Sequence, residues 1–275
     1  MKQQTRFITN AMLLLLVYVA VSVAGAQAQN PSQEAEQILD STGVKGGLVV
    51  HIGCGDGKLT AALRANDSYV VHGLDGNPEN VAAAQKHIQS LGQYGNVSVE
   101  LWSGDRLPYI DNSVNLIVSE DLGSVANSEV MRVLAPNGTA YIKSDGRWAK
   151  VVKLRPKEID EWTHYLHDPS NNAVAHDSII EPPNRYQWVA GPSYSRQHDH
   201  MSSVSAVVSA KGRLFYIFDE APRASILIPP KWRLIARDAF NGKQLWERNI
   251  ELWHPHLWRL KSGPQMLARR LVAVG

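Results

Sequence analysis

The chain has a single cysteine, Cys54, in 275 residues. One thiol excludes an intramolecular disulfide and any multi-thiolate metal cluster. Charge of one sign is also missing, since 28 Lys and Arg stand against 26 Asp and Glu. Residues 29–156 carry 11 basic and 14 acidic side chains, and residues 157–275 carry 15 and 12. Neither part has the one-sided basic field that nucleic-acid binding needs, so nucleic acid is not expected as a partner. The longest apolar run, Ala11 to Ala24, is short for a membrane span. The rest has the apolar and charged content of globular domains, and its length suits a leader followed by two of them.

The first 28 residues have the three parts of a secretory signal. Lys2 and Arg6 give a positive start, Ala11 to Ala24 an apolar centre, and Ala26-Gln27-Ala28 a small-residue cleavage site. The expectation is export to the periplasm or cell envelope, with membrane contact only through an uncleaved signal. No cysteine follows the apolar run, so lipoprotein anchoring has no support.

From residue 29 to about 156 the pattern alternates between strand and helix. Glu34 to Thr42 has helical spacing, and Gly43, Gly46 and Gly47 end it. Leu48 to Ile52 is a buried strand that runs straight into a glycine turn, Gly53-Cys54-Gly55-Asp56-Gly57, and a helix over Lys58 to Ala65. Such a turn lets backbone N–H groups approach a ligand that any side chain would push away. Cys54 is read as a small residue the turn has room for, not as a nucleophile. A second strand, Tyr69 to Leu74, ends at Asp75, whose carboxylate can accept hydrogen bonds from the ribose hydroxyls of an adenosine-like ligand. A helix from Asn77-Pro78 to about Leu91, a strand at Val97 to Leu101 and the apolar strand Val114 to Ser119 follow. This order predicts a mostly parallel α/β sheet.

A dinucleotide fingerprint requires Gly-x-Gly-x-x-Gly, whereas Gly53, Gly55 and Gly57 form Gly-x-Gly-x-Gly. With Asp75, with Asp105 after the third strand, and with Glu129 to Ile142 as helix, turn and fifth strand, the segment resembles class I S-adenosylmethionine-dependent methyltransferases of type 11. The resemblance implies a Rossmann-like fold and S-adenosylmethionine as cofactor. It places Gly53, Gly55, Gly57 and Asp75 at that cofactor, with Asp105 on the adenine amino group. Glu120 and Asp121, at the end of the fourth strand, face the expected position of a small-molecule substrate. They are candidate bases, with solvated strand-end carboxylates as the other reading. No Asn-Pro-Pro-aromatic motif occurs there, which disfavours methylation of base amino groups or glutamine.

The chain departs from that family's pattern at three places. His51 stands where the family has an acidic residue. Only Val151 to Leu154 reads as a strand after Gly146, so the closing hairpin is expected to be shortened or absent. The signal sequence directs the protein away from a cytoplasmic cofactor.

Residues 157–275 shift to Trp, His and Pro with period-two strands, and an all-β region is expected. Gly212 to Asp219 and Trp232 to Ala236 read as strands, with Asp238 to Gly242 as a tight turn in which Asn241 and Gly242 take positive φ. Trp246 falls in the next strand. This unit resembles the repeat of quinoprotein-like β-propellers, and Glu161 to Tyr165 resembles the segment that leads into the first blade. Only one repeat is visible and RRLVAVG reads as the start of another, so the sequence is expected to be a fragment of a longer protein. The composite is similar to exported planctomycete-type proteins that join the two domains. A pyrroloquinoline quinone site is not expected from so few strands.

Seven of the ten histidines lie in this second region, among them His164, His167, His198, His200, His254 and His256. A His-x-His pair on a strand shares one face and could ligate a metal. No carboxylate partner is evident, so the sequence assigns no metal site. Three functions stay open: a methyltransferase acting on an unknown small substrate, a non-catalytic exported scaffold with a degenerate methyltransferase fold, and an accessory domain of a quinoprotein dehydrogenase.

Overall fold

The computed structural model describes residues 30–144, 146–179, 182, 186–191, 203–222, 224, 228–251, 253 and 268–274. The expected signal sequence and the pairs His198/His200 and His254/His256 lie outside the described residues. Among the described residues, no helix is long and apolar enough to cross a membrane.

The first unit runs α1 (Pro31–Thr42), β1 (Gly47–Ile52), α2 (Lys58–Ala62), β2 (Tyr69–Asp75), α3 (Pro78–Ser90), β3 (Val97–Leu101), β4 (Val114–Ser119), α4 (Asn127–Val133), β5 (Leu134–Ser144) and β6 (Arg147–Val152). Helix α1 starts earlier than its apolar spacing suggests. Asn30 caps it by accepting from Ser32 N–H at 3.1 Å, and Pro31 occupies the first turn, where a missing N–H costs nothing. Gly43 closes it in the left-handed region at φ 74°. The same device starts α3, with Asn77 accepting from Glu79 N–H ahead of Pro78.

The sheet order is β3-β2-β1-β4-β5-β6, parallel throughout except for β6, which pairs antiparallel with β5. Apolar side chains fill both faces. Val49, Val71, Val97, Leu116 and Val118 belong to the core that α1, α2 and α3 cover. Val50, Leu74, Val114 and Ile117 pack on the other side with Val130 and Val133 of α4. The closing hairpin is present, beginning four residues before the expected Val151. Ser144 pairs with Arg147, and Trp148 stacks on Tyr141 at 4.9 Å between ring centroids. The period-two pattern showed only the end of β6, because nearly all of its residues are exposed and Trp148 alone of them packs inward.

A second sheet contains β7 (Val204–Ala210), β8 (Arg213–Asp219), β9 (Trp232–Asp238) and β10 (Gln244–Ile250), in antiparallel order β10-β9-β8-β7. Strands β8 and β9 match the sequence reading, while β7 adds a strand before them. Lys211 and Gly212, with φ 48° and 71°, make the two-residue turn that joins β7 to β8. In the β9–β10 turn, Asp238 accepts from the N–H groups of Phe240 and Asn241, and only Gly242 takes positive φ. Of the run read as a further strand, Arg269 and Arg270 end a short 3₁₀ turn at Ala268–Arg270, and residues 271–274 form no strand.

Asn115 of β4 is a polar hub where the two sheets meet. Its Oδ1 accepts from Leu48 N–H at 2.8 Å and from Asn241 Nδ2 at 2.7 Å, and its Nδ2 donates to Asp238 Oδ2 at 2.7 Å. Asn241 Nδ2 also reaches Ser113 O at 2.8 Å, and Ser68 Oγ donates to Leu245 O at 2.5 Å. Gly47 is required opposite this junction, because a Cβ there would overlap the Asn115 amide. Replacing Asn115 with Ala strands the Asp238 carboxylate and the Leu48 N–H without their partner. A loss of about 1–3 kcal/mol of stability is expected, read as a lower urea midpoint.

Candidate functional site

The parallel sheet reverses its strand order between β1 and β4, and a crevice opens outside the carboxyl ends of the strands there. A cleft of about 260 Å³ lies in this position, lined by Ile52, Gly53, Leu74, Asp75, Trp102 and Asp121, with Gly76, Ser103, Gly104 and the Leu122–Ser124 loop around them. The glycine turn forms one wall. Gly53, Gly55 and Gly57 all have positive φ, at 74°, 53° and 76°. Gly57 has a second reason to be glycine, since a Cβ there would sit 2.6 Å from Ala84 Cβ of α3. The turn is anchored to β2, with the N–H groups of Gly53 and Cys54 donating to Leu74 O.

Asp75 holds the wall together. Its Oδ2 accepts from Gly55 N–H at 2.8 Å, and its Oδ1 accepts from Asn77 N–H at 2.9 Å and Asn80 Nδ2 at 3.1 Å. A carboxylate offers about four acceptor positions. Three are taken by the protein, which leaves one on Oδ2 for a ligand hydroxyl in this arrangement. The pair of ribose contacts expected of Asp75 therefore requires Asn80 or Gly55 to give way.

Asp105 is exposed, one residue beyond Gly104 of the cleft wall. Asp121 lines the cleft, and its Oδ1 accepts from Gly123 N–H at 2.8 Å. Glu120 turns to the edge, where Lys143 Nζ lies 3.1 Å away. Of the residues read from the sequence, the fold thus brings together Gly53, Asp75 and Asp121, with Gly55 and Gly57 shaping the turn behind them. Trp102 and the Leu122–Ser124 loop were missed, since neither belongs to a periodic element. Ser124 Oγ closes this side by donating to Gly104 O at 2.7 Å.

Two buried groups behind the turn are chemically quiet. Burial pushes the Cys54 thiol up to about 12, so it carries no thiolate at neutral pH and is no nucleophile. His51 is 4% exposed, and its Nδ1 lies 2.8 Å from Oγ of the fully buried Thr60. Burial lowers its pKa from 6.5 to about 4, against the opposing pull of Glu120 and Asp75. The imidazole is neutral at pH 7 and cannot replace the negative charge of a carboxylate behind the turn.

A histidine whose pKa is depressed on folding leaves the unfolded chain binding more protons between pH 6.5 and about 4. Its contribution is fully present above pH 6.5 and is lost as pH falls through that window. Between pH 7 and 5 this amounts to about 2 kcal/mol. His51→Gln is expected to remove that share of the pH dependence in urea unfolding, and an unchanged difference between pH 7 and pH 5 counts against it.

Residues 49–138 match the family described as "Methyltransferase domain". Among solved structures, the chain is similar to a Methanococcus maripaludis protein assigned as an S-adenosyl-L-methionine-dependent methyltransferase. The two are 26% identical, with 43% of this chain and 57% of that one covered at a TM-score of 0.38. Geranyl diphosphate C-methyltransferase of Streptomyces coelicolor A3(2), in complex with Mg²⁺, geranyl diphosphate and S-adenosyl-L-homocysteine, is 19% identical, with 40% of this chain and 44% of that one covered at a TM-score of 0.37. A curated relative, DNA damage-binding protein 1a of Arabidopsis thaliana, is 31% identical over 119 residues, which are 43% of this chain and 10% of that protein. The chain spans about a tenth of that relative's length. The match to the methyltransferase family runs from the middle of β1 into β5.

Proposed function

We propose that the first unit binds S-adenosylmethionine in the cleft over Gly53–Gly57 and transfers its methyl group to a small substrate whose identity is open. The observation that carries the reading is the cleft itself: a glycine turn and Asp75 meet at the point where the strand order reverses, within the matched methyltransferase segment. In this reading Gly53, Gly55 and Gly57 let the backbone approach the cofactor, and Asp75 accepts a ribose hydroxyl. Asp105 swings from its exposed loop onto the adenine. The cofactor supplies an electrophilic methyl, so the protein's work is positioning and exclusion of water, and a general base is optional. Asp121 lies nearer to that chemistry than Glu120, whose carboxylate is engaged by Lys143.

The second sheet is read as a single blade of a quinoprotein-like propeller, and residues 1–28 as the signal that exports the chain. No pyrroloquinoline quinone role is proposed for it. A second reading, a domain that has lost methyl transfer and serves as a docking module, is favoured by the neutral His51 behind the turn and by the polar joint that fixes the second sheet to β4.

Calorimetric titration of the full chain with S-adenosylhomocysteine decides between them. Saturable binding is expected, weakened at least tenfold by Asp75→Ala, which removes both a ligand contact and the anchor of Gly55. Absence of heat at millimolar ligand overturns the cofactor reading, and binding gained only on His51→Asp favours the docking module.

A further inference from the structure

Outside the cleft, one cluster of side chains among the described residues converges without a task in methyl transfer. Asp160, His167 and His176 lie in the segment that connects the two sheets, and one ligand atom from each falls within 4.8 Å of the other two. We propose that these three residues bind a divalent first-row transition cation of the zinc type, which staples the connecting segment to itself.

The geometry starts from His167, which is 3% exposed. Its Nε2 lies 2.6 Å from Asp160 Oδ2, and its ring meets that of His176 edge-on at 5.1 Å. His176 Nδ1 lies 3.7 Å from the same Asp160 Oδ2, which also accepts the His176 backbone N–H at 2.7 Å. One carboxylate oxygen has two lone pairs. The His167 nitrogen and the His176 amide take both, and His176 Nδ1 at 3.7 Å is too far for a hydrogen bond, so a cation among the three side chains would replace the His167 contact and draw the His176 ring into the cluster. Bonds of about 2.0–2.2 Å to nitrogen and oxygen need only small shifts from these positions.

The other side of His167 supports the same assignment. Its buried Nδ1 has no hydrogen-bond partner, yet Asp168 Oδ2 stands 3.5 Å away. A ligating histidine typically turns its second ring nitrogen toward a carboxylate, which fixes the tautomer and strengthens the metal bond. Two histidines and one carboxylate leave a position open, and the His176 side chain is 70% exposed, so water completes the shell from that direction.

The surrounding bonds show what the cation would hold. Trp162 N–H donates to Ser209 Oγ, Ser209 N–H returns to Trp162 O, and Lys211 N–H donates to Glu161 Oε1, so the segment lies along β7. Ala273 N–H donates to Thr163 O from the terminal stretch. A metal bridging residues 160, 167 and 176 closes the part of the connector that lacks strand pairing.

The test is titration of the chelator-stripped full chain with Zn²⁺, alongside the visible spectrum with Co²⁺. One equivalent is expected to bind, with a Co²⁺ band of low-coordinate type. His176→Ala, at an exposed position that folding does not need, is expected to weaken binding about 100-fold. Asp168→Asn is expected to weaken it about tenfold. His164→Ala, whose Nδ1 pairs with Thr163 Oγ1 outside the cluster, is expected to bind as the parent does. No binding by the parent chain overturns the site, and so does binding equally tight in the His176→Ala chain.

Discussion

Strand β1 is held between β2 and β4, and the candidate site follows from that position. A strand paired on both edges and covered on both faces has only its ends available to solvent. Its carboxyl end is where neighbouring connections leave in opposite directions. Val49 and Val50 are fully buried on opposite faces, so the register of β1 cannot slip without exposing one of them. That fixed register delivers the glycine turn to the same place as the end of β2, where Asp75 takes hold of it.

Asp75 is therefore structural before it is a ligand-binding group. Its carboxylate joins the glycine turn to the start of α3, and most of its acceptor capacity is spent there. His51 lies behind the same turn and is kept neutral by burial. The site thus has the backbone shape suited to a nucleotide-like cofactor with less negative charge behind it than a buried acidic residue would supply. Shape favours the cofactor reading, and this weaker electrostatic support is what keeps the docking reading open.

The parallel unit was largely legible in the sequence because its strands are buried on both faces and read as continuous apolar runs. Val114–Ser119 shows as such a run, and the strand has those bounds. Strand β6 was read only at its end because most of it is exposed, and β7 escaped because it alternates small residues with weak apolar ones. Asn241 was read as a turn residue with positive φ, whereas its side chain reaches across to Asn115 and Ser113 and only Gly242 takes the left-handed conformation. Gly53, Asp75 and Asp121 could be foreseen as neighbours from strand-end logic. Trp102 and the Leu122–Ser124 loop could not, since loops carry no periodic signal.

By itself the sequence determined the order of strands and helices, the glycine turn and the carboxylate that meets it. These follow from local rules: burial period, capping and the φ angles only glycine takes freely. Tertiary structure alone decided that Asn115 joins the two sheets and that Asp75 spends most of its acceptors on the protein. It also decided that Asp160 gathers His167 and His176. Each of these depends on where side chains distant in sequence come to rest, and no local pattern encodes that.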